Sequence, residues 1–258
     1  MKMKINEIQK IIENLIPTFL KAGKESIDIF KKTLKVQTKD DNTPVTNGDL
    51  YVNKMIIEKL KILSPKIEIV SEENIKDIEI KEREDLWLVD PIDGTSSYVK
   101  GGDEYTLNAG LIINKRAVAG IIYAPKKNRL FFSYGTNHAY EIKDNKKIKI
   151  NCQKINLKTK ALSNSSKPSE NIIKIFNNYR VVKFQNMRSS FKFCLIANGE
   201  FDLYAANPRA KEWDIAAGHA IAENAGAIVS THDDKPIQYG KPDFSNPSLL
   251  VRKKNLKC

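Results

Sequence analysis

The chain has 258 residues, 41% of them apolar, enough to bury a substantial core in one large domain or two small ones, which excludes bulk disorder. Its net charge of +12 comes from 43 basic and 31 acidic residues. The lysines are scattered, with no arginine-rich block and no aromatic-interleaved motif. That pattern carries no nucleic-acid-binding motif and reads first as a solvated basic surface, with attraction of a polyanionic substrate as the functional alternative. Apolar residues from Ile5 to Leu20 recur at helical spacing and predict a long helix over 4–35, which Pro17 should kink or split. Residues 36–48 are polar, and Asp40-Asp41-Asn42-Thr43-Pro44 signals a loop. A second helix is expected over 49–63, then strands at 67–70 and 86–89, each running into carboxylates. Three β-rich runs follow at 105–114, 117–124 and 129–134. Gly110 and Gly120 within them hint at bulges or close packing. A hairpin is expected around Asp144-Asn145. A second half should begin near 155, with strands at 160–164, 180–184, 202–205, 227–230 and 248–252 and helices at 169–178, 190–199 and 214–225. Meander strands followed by alternating elements point to a layered mixed sandwich in two halves, 1–155 and 156–258, forming one compact unit.

The N-terminus turns charged and polar at once, and no run approaches the ~18 apolar residues of a membrane span. No signal peptide is expected. Cys152, Cys194 and Cys258 are odd in number and widely spaced, which fits neither a disulfide framework nor a CxxC metal site and suggests a reducing cytoplasm. His138, His219 and His232 show no HxxxH spacing, so zinc is not expected.

The chemistry gathers in carboxylates. Ser71-Glu72-Glu73 ends one expected strand. Asp90 ends another and Asp93 opens the next turn, within Asp90-Pro91-Ile92-Asp93-Gly94-Thr95. Pro91 fixes the backbone between the two aspartates, so their short side chains can converge on a hard cation such as Mg²⁺, with the Ile92 carbonyl as a further oxygen ligand. Gly94 permits close approach, and the N–H groups of Gly94, Thr95 and Ser96 would open a helix and suit a phosphate. Glu212-Trp213-Asp214 brings further carboxylates far downstream. Each piece alone also has a purely structural reading: a turn with a helix cap at 90–95, solvated loop carboxylates at Glu72 and Glu73, and N-caps at Asp49 and Asp214.

Taken together and in order, these motifs resemble the inositol monophosphatase superfamily. The resemblance extends through Thr43-Pro44-Val45-Thr46-Asn47-Gly48-Asp49, Val70-Ser71-Glu72-Glu73 and Trp213-Asp214-Ile215-Ala216-Ala217-Gly218, and covers nearly the whole chain. Ser189-Ser190-Phe191-Lys192-Phe193-Cys194-Leu195, Tyr123-Ala124-Pro125 and Asp202-Leu203-Tyr204 are most similar to the 3′(2′),5′-bisphosphate nucleotidases of the CysQ type. The resemblance implies an α+β fold, the layered α/β/α/β/α sandwich of the sugar phosphatases. It implies a lithium-sensitive phosphatase using two or three Mg²⁺ ions. Glu72, Asp90 and the Ile92 carbonyl would hold one ion, and Asp90, Asp93 and Asp214 a second, the pair clamping an in-line displacement. Thr95, bonded to Asp49, would activate water, with Glu72 beside them; Gly94, Thr95 and Ser96 would bind phosphate. Ser190, Lys192 and Glu212 would contact the substrate. The implied reaction converts 3′-phosphoadenosine 5′-phosphate to AMP and phosphate in sulfur metabolism. An inositol monophosphatase or fructose-1,6-bisphosphatase of the same superfamily remains open, as does an inactive basic scaffold. The implied setting is cytoplasmic, with at most peripheral contact at the inner membrane, as monomer or homodimer.

Three segments depart from that pattern. Ser163-Asn164-Ser165-Ser166 lacks the Arg and His of the usual stretch, Arg188 replaces a glycine before the Ser-Ser pair, and Ala205-Ala206-Asn207-Pro208-Arg209-Ala210-Lys211 replaces a P-R-x-G-P-T-like loop. All three fall where leaving-group recognition is expected. Arg188, Lys192, Arg209 and Lys211 are candidates to supply replacement charge for a second phosphate.

Overall fold

The computed structural model describes residues 3–39, 43–75, 78–153 and 158–256. The expected loop signal at 40–42 and the expected boundary near 155 lie outside the described residues. Helix α1 (Ile5–Lys32) and helix α2 (Asn47–Leu63) pack on one face of a seven-stranded sheet. That sheet contains β3 (Glu68–Ser71), β4 (Leu86–Asp93), β5 (Thr106–Ile113), β6 (Arg116–Ala124), β7 (Arg129–Ser133), β8 (Ala139–Lys143) and β9 (Lys146–Lys149), in that spatial order. Only the β3–β4 pair is parallel; the rest form a meander.

Alternation along the strands sends side chains to two cores. Trp87, Val89, Leu111, Ile121 and Phe132 meet Ile12, Leu15, Phe19 and Ile56 of the first helix layer. Leu86, Leu88, Ile112, Ile122 and Phe131 face the other way, toward α5 (Phe191–Ala197) and α6 (Glu212–Asn224). Those helices also cover a five-stranded sheet ordered β11 (Val181–Asn186), β10 (Thr159–Ser163), β12 (Leu203–Ala206), β14 (Leu249–Lys253), β13 (Ala227–Ser230). The far face of that sheet packs on α4 (Glu170–Asn178) through Ala161, Leu203, Leu250, Ile172 and Phe176. The layers therefore run α/β/α/β/α, the α+β sandwich expected from the sequence.

Several local expectations change. Helix α1 continues through Pro17. Pro17 is exposed, while Leu15 and Phe19 on either side are fully buried and hold the helix down. The polar 36–48 stretch contains a two-stranded antiparallel ribbon, β1 (Val36–Thr38) with β2 (Pro44–Thr46). Its residues carry no alternating apolar signal because β1 has no buried face. Asp49 is not the cap of α2: Thr46 is, and Asp49 closes the capping box from the third helical position. Likewise α6 opens at Glu212 after Lys211, two residues before the expected start, which places Asp214 at the third helical position. The hairpin turn falls on Asp144 and Asn145, both left-handed, as a two-residue turn requires.

Gly110 and Gly120 face each other across β5 and β6. They make no bulge there; they clear a seat for α6. A Cβ on Gly110 would stand 2.7 Å from Ala217 N, and one on Gly120 2.4 Å from Ala217 O. The helix carrying Asp214 thereby sits directly on the sheet carrying Asp90. No helix among the described residues is long and apolar enough to cross a membrane.

Candidate active site

Strand β4 delivers the central groups. It pairs regularly with β5 up to Asp90 opposite Asn108, then shifts register so that Asp93 lies opposite Thr106. Two residues of β4, Pro91 and Ile92, thus oppose one of β5, Leu107, which makes a bulge. The strand runs on to Asp93 instead of ending at Asp90 as expected. Gly94 follows at φ +92°, a left-handed conformation that costs glycine little, and turns the chain into the five-residue helix α3 (Thr95–Val99).

Asp90 is 1% exposed, and its Oδ1 has no hydrogen-bond partner among the described residues. An unpaired buried acceptor costs about 1–3 kcal/mol. Glu72 arrives from the end of β3 and Asp214 from the first turn of α6. One carboxylate oxygen each from Glu72, Asp90 and Asp214 lies within 4.8 Å of the others. Burial first, then repulsion from Glu72, Asp93 and Asp214, drives the Asp90 carboxyl well above the usual range. Burial and Asp93 push Asp214 up to about 7. Three crowded acids, one with an orphaned buried oxygen, fit a hard divalent cation held by oxygen ligands.

Asp93 stands beside this trio, its Oδ2 accepting from the backbone N–H of Ser190. Burial raises its carboxyl, opposed by the nearby Lys192 ammonium. Asp49 is 1% exposed, and its Oδ2 accepts from Thr46 N at 2.8 Å and Thr46 Oγ1 at 2.5 Å. Its Oδ1 faces Thr95 Oγ1 at 3.1 Å. Thr95 Oγ1 also lies 3.0 Å from the Ile92 carbonyl, so its one proton has two acceptors in reach. Burial raises the Asp49 carboxyl despite its bonds from Thr46 and Thr95. Lys39 bridges Glu72 Oε1 at 3.0 Å and Glu73 Oε1 at 2.8 Å. Burial alone would depress its ammonium, but the bonds to both glutamates outweigh burial and raise it.

A cleft of about 580 Å³ opens over these groups. Glu72, Asp90, Ile92, Asp93, Gly94, Thr95, Ser96 and Asp214 line its floor, and Arg188 and Arg209 line its side together with Asn164, Ser165 and Ser166. A second chamber of about 100 Å³ shares Asp93, Asp214 and both arginines and adds Lys192, Tyr204 and Asn246. Segments 163–166 and 205–211 and Arg188 therefore contribute lining to these cavities.

Two expected substrate contacts lie elsewhere. Glu212 is fully buried, with Oε2 accepting from Gly240 N at 2.7 Å and Oε1 from Lys241 N at 3.2 Å. It faces away from the cleft and ties the 240–241 backbone to α6, because the first turn of a helix presents successive side chains to different sides. Ser190 is fully buried behind Asp93. Lys192 keeps its place on the chamber wall, with Nζ donating to the Ser189 carbonyl at 2.7 Å. Burial lowers its ammonium despite Asp93 and Asp214. Lys211 points its Nζ at the Asp243 carbonyl, outside both cavities. Sequence reasoning missed Thr106 and Asn108, which lie fully buried opposite Asp93 and Asp90. Polar residues inside an otherwise apolar strand were the available signal.

A layered α+β sandwich with buried acids at strand and helix ends, a left-handed glycine turn and a cationic wall belongs to the class of cation-assisted phosphate-handling proteins. The chain is a member of the inositol monophosphatase family, whose model matches residues 7–257. It is 35% identical over 239 residues to the 3′(2′),5′-bisphosphate nucleotidase CysQ of Buchnera aphidicola subsp. Acyrthosiphon pisum, covering 91% of this chain and 90% of that one. Among solved structures, CysQ from Bacteroides thetaiotaomicron superposes with a TM-score of 0.78 at 28% identity, covering 96% and 98% of the two chains. An IMPase/NADP phosphatase solved with Mg²⁺ and phosphate shares the fold, with a TM-score of 0.78 at 21% identity over 96% and 92%.

Proposed function

We propose that the protein is a phosphoric monoester hydrolase that removes the 3′-phosphate of 3′-phosphoadenosine 5′-phosphate, giving AMP and phosphate. The observation that carries the hydrolytic reading is the unpartnered, buried Asp90 oxygen at the centre of converging acids, beside the Thr95–Asp49 pair. The bisphosphate substrate rests on the likeness to CysQ nucleotidases and on two arginines that line both the metal-facing cleft and the chamber beside it.

Glu72, Asp90 and Asp214, with Asp93 and the Ile92 carbonyl, would hold Mg²⁺. When bound, Mg²⁺ supplies charge neutralisation of the phosphate and lowers the pKa of water. The chain's own groups do the rest. The Thr95 hydroxyl donates to Asp49 and leaves its lone pairs to accept a hydrogen bond from the attacking water. Water oxygen attacks phosphorus, its proton passes through Thr95 to Asp49, and the bond from phosphorus to O3′ breaks. The departing alkoxide takes a proton from solvent. Burial has raised the Asp49 carboxyl, making it a better proton acceptor than an exposed aspartate. The first N–H groups of α3, which have no intrahelical acceptors, support the phosphate. Arg188 and Arg209 hold the second phosphate, and Lys192 adds positive charge from the chamber wall.

Chromatography of products after incubation with 3′-phosphoadenosine 5′-phosphate and Mg²⁺ tests this reading. AMP and phosphate are expected. Adenosine 3′-phosphate as product, or no turnover, contradicts it. Lithium is expected to inhibit.

A further inference from the structure

Behind Asp93 lies a closed set of polar groups. Thr106, Asn108 and Ser190 are each 0% exposed. Ser190 Oγ stands 2.8 Å from Thr106 Oγ1 and 2.8 Å from Asn108 Oδ1. The backbone N–H of Ser190 bonds Asp93 Oδ2. Thr106 lies opposite Asp93 in the β4–β5 ladder and Asn108 opposite Asp90. Directly opposed residues project to the same face of a sheet. The pairings therefore place two buried hydrogen-bonding side chains of β5 beneath the two carboxylates of β4. Among the described residues, Asn108 Nδ2 and Asp90 Oδ1 are both buried without a partner, an unmatched donor and an unmatched acceptor on cross-strand neighbours.

This set never reaches the cleft: neither Thr106, Asn108 nor Ser190 lines it or its side chamber. Ser190 nonetheless sits between Arg188 and Lys192, which do line the chamber. Ser190 thus joins Asp93 of β4 through its N–H, and β5 through its hydroxyl, to the segment carrying the cationic wall.

We infer that Thr106 and Asn108, acting through Ser190, are positioning residues that fix the Asp93 carboxylate for divalent cation binding and fix the 188–192 segment relative to it. The inference rests on the proposed cation-assisted reading of the site. The physical logic is that of any outer partner of a metal ligand. A carboxylate pinned by neighbouring donors loses little freedom when a cation arrives, and removing such partners typically lowers metal affinity about 10–100-fold. Bonding between buried hydroxyls also transmits the loss of one member to the others.

The test is calorimetric titration of the full-length, metal-free protein with Mn²⁺, comparing Thr106→Val, Thr106→Ser and Ser190→Ala with the parent. Thr106→Val keeps the shape and removes the hydroxyl; Thr106→Ser keeps the hydroxyl. Cation affinity is expected to fall about tenfold in Thr106→Val and Ser190→Ala and to stay near the parent's in Thr106→Ser. Because the two residues act as a unit, the double variant Thr106→Val/Ser190→Ala should lose less than the product of the single losses. Turnover by the single variants should recover at raised Mg²⁺, which a general packing defect would not permit. Unchanged affinity in both single variants, or equal loss in Thr106→Ser, overturns the inference alone. Absence of Mn²⁺ binding by the parent overturns the cation-assisted reading, and this inference with it. If Ser190→Ala proves unstable, the Thr106 pair carries the same contrast.

Discussion

A Cβ placed on Gly120 would stand 2.4 Å from the carbonyl oxygen of Ala217, one turn along α6 from Asp214. The obstructing atom is backbone, so it cannot swing aside. Gly120→Ala must lift the helix off the sheet and carry Asp214 away from Asp90. The expected loss of stability is about 1–3 kcal/mol. Turnover should fall by more than that loss explains, because a carboxylate of the cation site moves. Denaturant unfolding and steady-state kinetics on the same preparation check both parts.

The crowded acids give the metal-free protein a distinctive pH dependence. Asp90, Asp93 and Asp214 all have carboxyls raised above their ordinary values, foremost by burial. A raised folded-state value means that these groups bind protons more tightly folded than unfolded. Their contribution is therefore fully present below the unfolded value and fades as pH rises through the folded one. For Asp214 the window runs from the ordinary aspartate range to about 7. Melting temperature without metal should decline across that window, and Mg²⁺ should raise it more at pH 7.5 than at pH 5. Asp90→Asn should stabilise the metal-free protein, blunt the decline and abolish turnover. A metal-free melting temperature that rises across the same window would contradict the assignment.

Glu212 separates a structural role from a binding one. Its buried carboxylate accepts from two backbone N–H groups and pairs with Lys241 Nζ at 2.5 Å. Glu212→Ala strands those donors and should cost about 1–3 kcal/mol of stability. The Michaelis constant should change little, since the side chain does not line the cleft. A large rise in the Michaelis constant with stability intact would restore the substrate-contact role read from the sequence.

Arg188 and Arg209 should behave in the opposite way. Each lines both cavities. Arg188→Ala or Arg209→Ala should raise the Michaelis constant for a bisphosphate about 10-fold or more, the scale of a charge-assisted bond of about 1.5–3 kcal/mol. The constant for a monophosphate should move far less. Equal effects on both substrates would place the arginines at the scissile phosphate instead.

The layered fold and the acidic centre were legible because each rests on local chemistry. Asp90-Pro91-Ile92-Asp93-Gly94-Thr95 encodes its own bulge and left-handed turn, and the apolar period of α1 survives an exposed Pro17. What sequence alone could not supply was direction. Whether Ser190 and Glu212 face the cleft depends on how α5 and α6 rotate against the sheet, and neither helix has a simple amphipathic stripe when most of its residues are buried. Thr106 and Asn108 matter only through the register of β5 on β4, a pairing no single strand records. The β1–β2 ribbon escaped notice because β1 buries nothing.

The most direct test of the account is to measure specificity constants with Mg²⁺ for 3′-phosphoadenosine 5′-phosphate, inositol 1-phosphate and fructose 1,6-bisphosphate. The account predicts a strong preference for the nucleotide, with the wall built by Arg188 and Arg209 recognising its second phosphate. Preference for the inositol or sugar phosphate would contradict it and assign the altered wall to a different leaving group on the same acidic centre.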